Sequence, residues 1–367
     1  MTKTPIAVED GQLLEQARQA LWQAVTERDE YAAGQAVFAL QDAGVSVEDV
    51  LLDVVVPVQH KVGAEWAADR LTVVQEHAAT AIHERVIAAL SHRPRETGPP
   101  GAAGTVTVSC VEGEWHALPA RIVAEVLQQR GYRVDFLGAQ VPTARLVAHL
   151  HQTAPAALAL SSSLPTRLPD AHKAITAAQA VGVPVLAGGA AFGPDGRHAR
   201  QLGADAWAPD ARAAVAVLDR GLPRPRTGAI RQTVDDLPHL VDQEYTLVAR
   251  QKRQLVKNTL AGLDGRLPAM RAYSDAQRER TAEDIGHIVD FLAAALYTDD
   301  ARMFRGFIAW TGDILEARGV PARVLDPGLA LLEEELKDFP RALGFLAQGR
   351  AALRGDTSPA PGPHPTV

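Results

Sequence analysis

Residues 105–138 read TVTVSCVEGEWHALPARIVAEVLQQRGYRVDFLG. A β-branched run, TVTVSC (105–110), enters a loop, GEWHALP (113–119). An amphipathic stretch and a second apolar run, YRVDFLG (132–138), follow. This is a strand–helix–strand unit of roughly 30 residues, the crossover that parallel strands need. The pattern continues through ALALSSS (157–163), VPVLAGG (183–189) and ADAWAPD (204–210), each set off by a helical segment. ARAAVAVLDRG (211–221) closes the unit. Short apolar runs alternating with amphipathic helices predict a doubly wound parallel sheet of flavodoxin-like order over 103–221. Ligands of such sheets bind at the carboxyl ends of the strands.

Working outward, residues 8–95 read as helices. Leu13, Leu14, Ala17, Leu21 and Val25 recur at helical spacing, and Gly44 is a natural helix stop. A third helical segment carries Pro57, where a kink is expected. With LTVVQEHAATAIHERVIAALSHR (71–93) these segments predict a four-helix bundle. RPRETGPPGAAG (93–104) and LPRPRTG, within 222–229, read as linkers. Residues 230–354 are helical again, and the tail 355–367 has the composition of a disordered segment.

Apolar residues make up 47% of the 367, enough for several cores. The net charge of −7 comes without a long run of one sign, which argues against a nucleic-acid surface. No apolar run is long enough for a membrane helix, and the start lacks a signal-peptide core. One cysteine, Cys110, excludes an internal disulfide. A cytoplasmic protein is expected.

In GEWHALP, Glu114 and His116 fall at the ligand edge of the sheet. Such a His is a metal ligand, a catalytic base or an ordinary polar loop residue; taken alone, the last is commonest. The third strand ends in Ser162-Ser163-Leu164 and the fourth in Gly188-Gly189, which together form a slot with small walls. A carboxylate two residues before a His can bond one ring nitrogen and leave the other as a stronger metal ligand.

Glu-x-His, Ser-x-Leu and Gly-Gly in this order resemble the cobalamin-binding domain of corrinoid proteins. The resemblance implies that His116 is the lower axial cobalt ligand and Glu114 its partner. Ser162, Leu164, Gly188 and Gly189 would line the slot for the detached nucleotide tail. Pro119 stands where that family has Gly, and Pro is acceptable at a helix start.

The helical bundle adds WAADRLTVVQEH (66–77). Trp66 and Glu76-His77 resemble the W-x9-E-H signature of light-sensing adenosylcobalamin regulators of the CarH type. The resemblance implies that Trp66 packs on the adenosyl group and that Glu76 contacts its ribose. His77 would take the upper cobalt position after photolysis. An adenosyl group does need a flat apolar neighbour and an acceptor for hydroxyls. Those regulators begin with a DNA-binding domain; here the bundle starts within the first ten residues, so direct DNA binding is not expected.

Residues 278–321 are similar to the second, bilin-binding domain of photocobilins, which pair cobalamin with biliverdin. The resemblance implies an all-α, globin-like domain. His287, Arg280, Tyr297 and Phe291 are candidate bilin contacts; Phe304, Phe307 and Trp310 are further slot candidates. Arg253, Lys257, Arg278 and Arg305 are further anchors for propionates. With no cysteine there, biliverdin would be held non-covalently. A plain effector or dimerisation domain, and haem held by His287, are the other readings. The expected function is a photoreceptor rather than an enzyme, a light-dependent homo-oligomer with an unidentified effector. The rivals are a corrinoid carrier of a methyltransferase system and a cobalamin scaffold without photochemistry.

Overall fold

The computed structural model describes residues 6–92, 104–225 and 237–354. The 355–367 tail, residues 93–103 of the first expected linker and 226–229 of the second lie outside the described residues.

The first region contains α1 (Ile6–Glu27), α2 (Glu30–Asp42), α3 (Val47–Val50), α4 (Val56–Ala67) and α5 (Val73–Ser91). Asp29, Ser46 and Thr72 cap α2, α3 and α5, and Gln75 completes a capping box on α5. Between α3 and α4 the backbone runs through a π turn, Leu51–Val55, without leaving the helix. Pro57 explains it. Proline has no N–H and crowds the carbonyl four residues back, which is that of Asp53. Arg18 Nη1 donates to that carbonyl at 2.8 Å. The kink expected at Pro57 is therefore a widened turn just before it.

The second region alternates β1 (Thr105–Cys110), α6 (Ala117–Gln129), β2 (Arg133–Gly138), α7 (Thr143–Thr153), β3 (Ala157–Ser161) and α8 (Leu168–Ala180). It ends with β4 (Val185–Gly188), α9 (Arg197–Gln201), β5 (Ala206–Ala208) and α10 (Ala211–Asp219). The five strands are parallel in the order β2-β1-β3-β4-β5. This is the doubly wound order the sequence predicts. Cys110 pairs with Ser161, and Ser161 with Gly188. The loops beginning at Val111, Ser162 and Gly189 thus leave the sheet side by side.

The third region is helical: α11 (Glu244–Arg266), α12 (Asp275–Thr298), α13 (Ala301–Ala317), α14 (Asp326–Glu335) and α15 (Pro340–Leu353). Leu292, Leu296, Phe304, Ile308, Leu329 and Leu346 are fully buried in its core.

Both helical regions dock on the α/β region. Glu48 of α3 accepts from Arg130 at 2.8 and 3.0 Å, and Arg212 of α10 donates to Asp49 and Asp53 at 2.6–3.1 Å. Helix α12 packs on α8 and on the turn Pro165–Arg167 that follows β3. There Tyr297 Oη lies 2.7 Å from His172 Nδ1, and Gln201 donates to the Thr298 carbonyl at 2.8 Å. No helix among the described residues is long and apolar enough to cross a membrane.

Candidate functional site

The shared edge of β1, β3 and β4 brings three loops together around one carboxylate. Glu114 is fully buried. Its Oε1 accepts from the backbone N–H of Trp115 (3.0 Å) and His116 (3.1 Å), and lies 2.5 Å from His116 Nδ1. Its Oε2 accepts from Ser162 Oγ (3.2 Å) and from the N–H groups of Ser163 (2.8 Å) and Leu164 (3.0 Å). Burial alone would push this carboxyl up. The hydrogen bonds and charge of His116, with the backbone donors of His116 and Leu164, outweigh burial and hold it at about 2. Because an ionised carboxylate only accepts, the bond fixes the proton on His116 Nδ1 and leaves the lone pair on Nε2.

The walls are small for physical reasons. Gly189 has φ +98°, and a Cβ there would lie 2.3 Å from the Ser162 carbonyl oxygen. A Cβ on Gly188 would lie 3.3 Å from the Ala208 carbonyl oxygen. Ser162 and Ser163 are buried, and Ser162 N–H donates to the Gly188 carbonyl at 3.1 Å. Cys110 is buried beneath His116, its thiol pushed up to about 12 by burial and by the charge of Glu114. It is a small apolar wall rather than a nucleophile.

Above this floor, the rings of Trp115 and His116 stack with centroids 4.1 Å apart, and His77 of α5 lies 6.4 Å from Trp115. The two candidate axial histidines thus belong to one column that crosses from the helical cap to the sheet. Trp115, to which the sequence assigns no role, is its middle member and is 51% exposed. Val73 and Val74, on the first turn of the helix that carries His77, are also exposed.

In the cap, Glu76 is buried, bonds His77 Nδ1 at 2.7 Å and accepts from Thr80 Oγ1 at 2.9 Å. Thr80 in turn accepts from Gln59 (2.9 Å), whose Oε1 lies 2.6 Å from His83 Nδ1. His83 is wholly buried, and burial holds its pKa down at about 4. Trp66 faces the third region. Its ring lies 6.3 Å from Trp310, and the Arg318 guanidinium sits 5.6 Å over it. Trp310 continues to Phe307 (6.3 Å), which stacks on Phe291 at 3.7 Å.

The bilin candidates are not gathered in one place. Arg280, Asp284, His287 and Phe291 share a face of α12 by spacing, with Arg280 and His287 exposed and Phe291 buried. Tyr297 lies instead in the interface with α8, against His172 and 4.7 Å from the Tyr245 ring. Arg278 is held by Asp264 and the Met270 carbonyl.

Residues 104–218 match the B12 binding domain, and residues 17–91 match a second family model also described as a B12 binding domain. This is a cobalamin-binding protein. No curated protein matches the chain. Among solved structures, it is similar to the monomethylamine corrinoid protein of Methanosarcina barkeri. Identity is 19%, over 55% of this chain and 96% of that one, with a TM-score of 0.46. A cobalamin-binding protein from Desulfitobacterium hafniense DCB-2 shows 21% identity over 55% and 97%, with a TM-score of 0.31. The methanol:cobalamin methyltransferase complex MtaBC from Methanosarcina barkeri shows 18% over 57% and 81%, with a TM-score of 0.30. Likenesses at this level carry no weight for function.

The donor set suits the cofactor. Among the described residues no three or more His, Cys, Asp or Glu side chains form a metal cluster. A corrin fills its cobalt's equatorial positions itself and asks the protein for an axial nitrogen. His116, with its Nδ1 tied to Glu114, presents one.

Proposed function

We propose that this chain is a sensor that reads the upper ligand of a bound cobalamin and passes its state to the C-terminal helical domain. The observation that carries the reading is the contact of Trp66 with Trp310 and Arg318. The residue proposed to face the upper ligand also touches the third region. In this reading His116 would hold the cobalt through Nε2, and Glu114, by accepting from Nδ1, would fix the tautomer and aim that nitrogen. Ser162, Leu164, Gly188 and Gly189 line the tail slot. Trp66 offers the flat apolar surface and Glu76 the acceptor for an adenosyl group, with His77 ready to occupy the vacated position.

Adenosylcobalamin supplies a cobalt–carbon bond that light cleaves. Trp66 would pack on the adenosyl group while it is bound, and without it would let the cap shift between two arrangements against α13. A change in self-association is the proposed readout. The light-sensing part rests on the WAADRLTVVQEH resemblance; neither family match bears on light.

The corrinoid-carrier reading fits the two matched domains at least as well. One observation favours it: His77 is 59% exposed, so the cap leaves the upper side accessible to a partner enzyme. Biliverdin in a globin-like third domain is the finer part of the proposal. It rests on the Arg280–His287–Phe291 face, without Tyr297.

Size-exclusion of adenosylcobalamin-loaded protein, dark and after green light, tests the sensor. The cobalt–carbon bond breaks in light without protein, so a spectral change alone decides nothing. The sensor reading expects an elution shift that Trp310→Ala reduces. An unchanged elution volume, together with methyl transfer from the methylcobalamin-loaded protein to a thiol acceptor, would favour the carrier. Reconstitution with biliverdin that leaves no red absorbance after desalting removes the second chromophore.

A further inference from the structure

Arg167 ends the turn that follows Ser162-Ser163-Leu164, at the mouth of the slot. Its guanidinium lies across the β1–α6 loop. A Cβ built on Gly113 would meet Arg167 Nη1 at 2.8 Å and Cζ at 3.1 Å. Gly113 has φ +78°, so that glycine both makes the turn and leaves room for the guanidinium.

The Arg167 Nε is buried and has no hydrogen-bond partner. The two carboxylates of the neighbouring loop are engaged elsewhere. Glu112 accepts from Thr143 N–H (3.0 Å) and Oγ1 (2.8 Å). Both Glu114 oxygens are taken by His116, Trp115 and the β3 loop. A fixed cation with an unused buried donor at the rim of a binding slot asks for an anionic acceptor. Most of a cobalamin's polar groups are neutral amides; its nucleotide tail carries a single anionic phosphodiester.

We infer that Arg167 binds the phosphodiester of the cobalamin nucleotide tail, and that Gly113 is the residue that makes room for it. The inference rests on the cobalamin site at His116 and is independent of light and of the upper ligand.

Cobinamide, which keeps the corrin but lacks the nucleotide, is the probe. Dissociation constants for cobalamin and cobinamide would be measured by absorbance titration for the full chain and for Arg167→Gln and Arg167→Lys. The expected result is about tenfold weaker cobalamin binding by Arg167→Gln, the size of one charge-assisted hydrogen bond. Cobinamide binding should stay within about twofold of the parent, since that ligand makes no such bond. Arg167→Lys should lie between, keeping the charge without the fork. Equal losses for both ligands would overturn the inference and make Arg167 a packing residue of the loop. So would no change for either ligand. A parent chain that binds neither ligand would overturn the His116 site itself, and the Arg167 inference with it.

Discussion

The two halves of the proposed cobalamin site are built in opposite ways. Below, one buried carboxylate collects donors from two loops, and every oxygen is engaged. Much of that floor is backbone whose position the parallel register fixes. Above, Trp66, Glu76 and His77 are side chains on two helices. His77 is more than half exposed, and Trp66 shares its ring with the third region. A floor of engaged backbone holds one geometry. In the roof only Glu76 is buried and fully bonded, while His77 and Trp66 are held less firmly, so the roof is the side less constrained against rearrangement.

The largest way to break this contrast is at its centre. Glu114→Gln keeps the shape but turns an amide NH2 toward donors that now lack an acceptor. It should destabilise the α/β region by about 4 kcal/mol, the scale of losing one partner from a buried pair. Cobalamin affinity should fall roughly 10–100-fold, as when the partner of a metal-binding His is removed. Urea unfolding and absorbance titration measure the two effects. Wild-type stability with intact affinity would show that the floor is not pre-organised by this carboxylate.

The roof should respond to acid first. The unfolded chain protonates His83 near its ordinary 6.5, whereas burial keeps the folded residue neutral to about 4. Below 6.5 the unfolded state therefore binds more protons, and stability falls as the pH drops toward 4. The loss is on the order of 3 kcal/mol if all of the shift is expressed. His83→Gln should flatten that slope between pH 6.5 and 4. Glu114 also has a lowered pKa, so its contribution is present above its ordinary 4.5 and is lost progressively as the pH falls from there toward about 2. Unfolding midpoints at pH 7 and 4.5 separate the two regions; a slope that survives in His83→Gln would place the acid-sensitive group elsewhere.

The sequence made the floor legible and much of the roof's wiring illegible. Strands are set by short apolar runs and their loops by Gly and Ser, so the pattern alone places Glu114, His116, Ser162 and Gly189 on one edge. Register does the rest. The engagement of Glu114 by the Ser163 and Leu164 backbone could not be read, because backbone donors look alike in every sequence. The burial of His83 beside Gln59 depends on which helix faces meet, and spacing within one helix does not say. The same limit separated Tyr297 from the bilin candidates. Its position on α12 was clear, but not that this part of the helix rests on His172. Trp115 was recognisable only as a neighbour of His116. Its stack became visible with the loop geometry.

Smaller effects should sharpen how the roof reaches the third region. Trp66→Ala removes a half-buried indole that touches both the cap core and Trp310. A loss of about 2 kcal/mol is expected, below the range for fully buried aromatics. The His-ligated spectrum of the lower site should be unchanged. Hydrogen exchange should rise in α13 as well as in α4, because the ring contact joins them. Faster exchange confined to α4 would mean that Trp66 is only a cap residue.

The smallest expected change is the most specific to coupling. Arg318 sits over Trp66, donates to its carbonyl at 3.5 Å, and lies 3.7 Å from Asp69. These contacts are near the surface, so Arg318→Ala should cost only about 0.5–1 kcal/mol. Cobalamin affinity should not move, since no Arg318 contact reaches the floor. If the third region reads the upper face through Trp66, however, the same substitution should shrink the difference in elution between adenosyl- and hydroxocobalamin forms. A variant with parent-like stability and a reduced difference would locate the coupling at this contact. A variant with the full difference would move it to the other interface, where Tyr297 meets His172 and Asp300 meets Arg197.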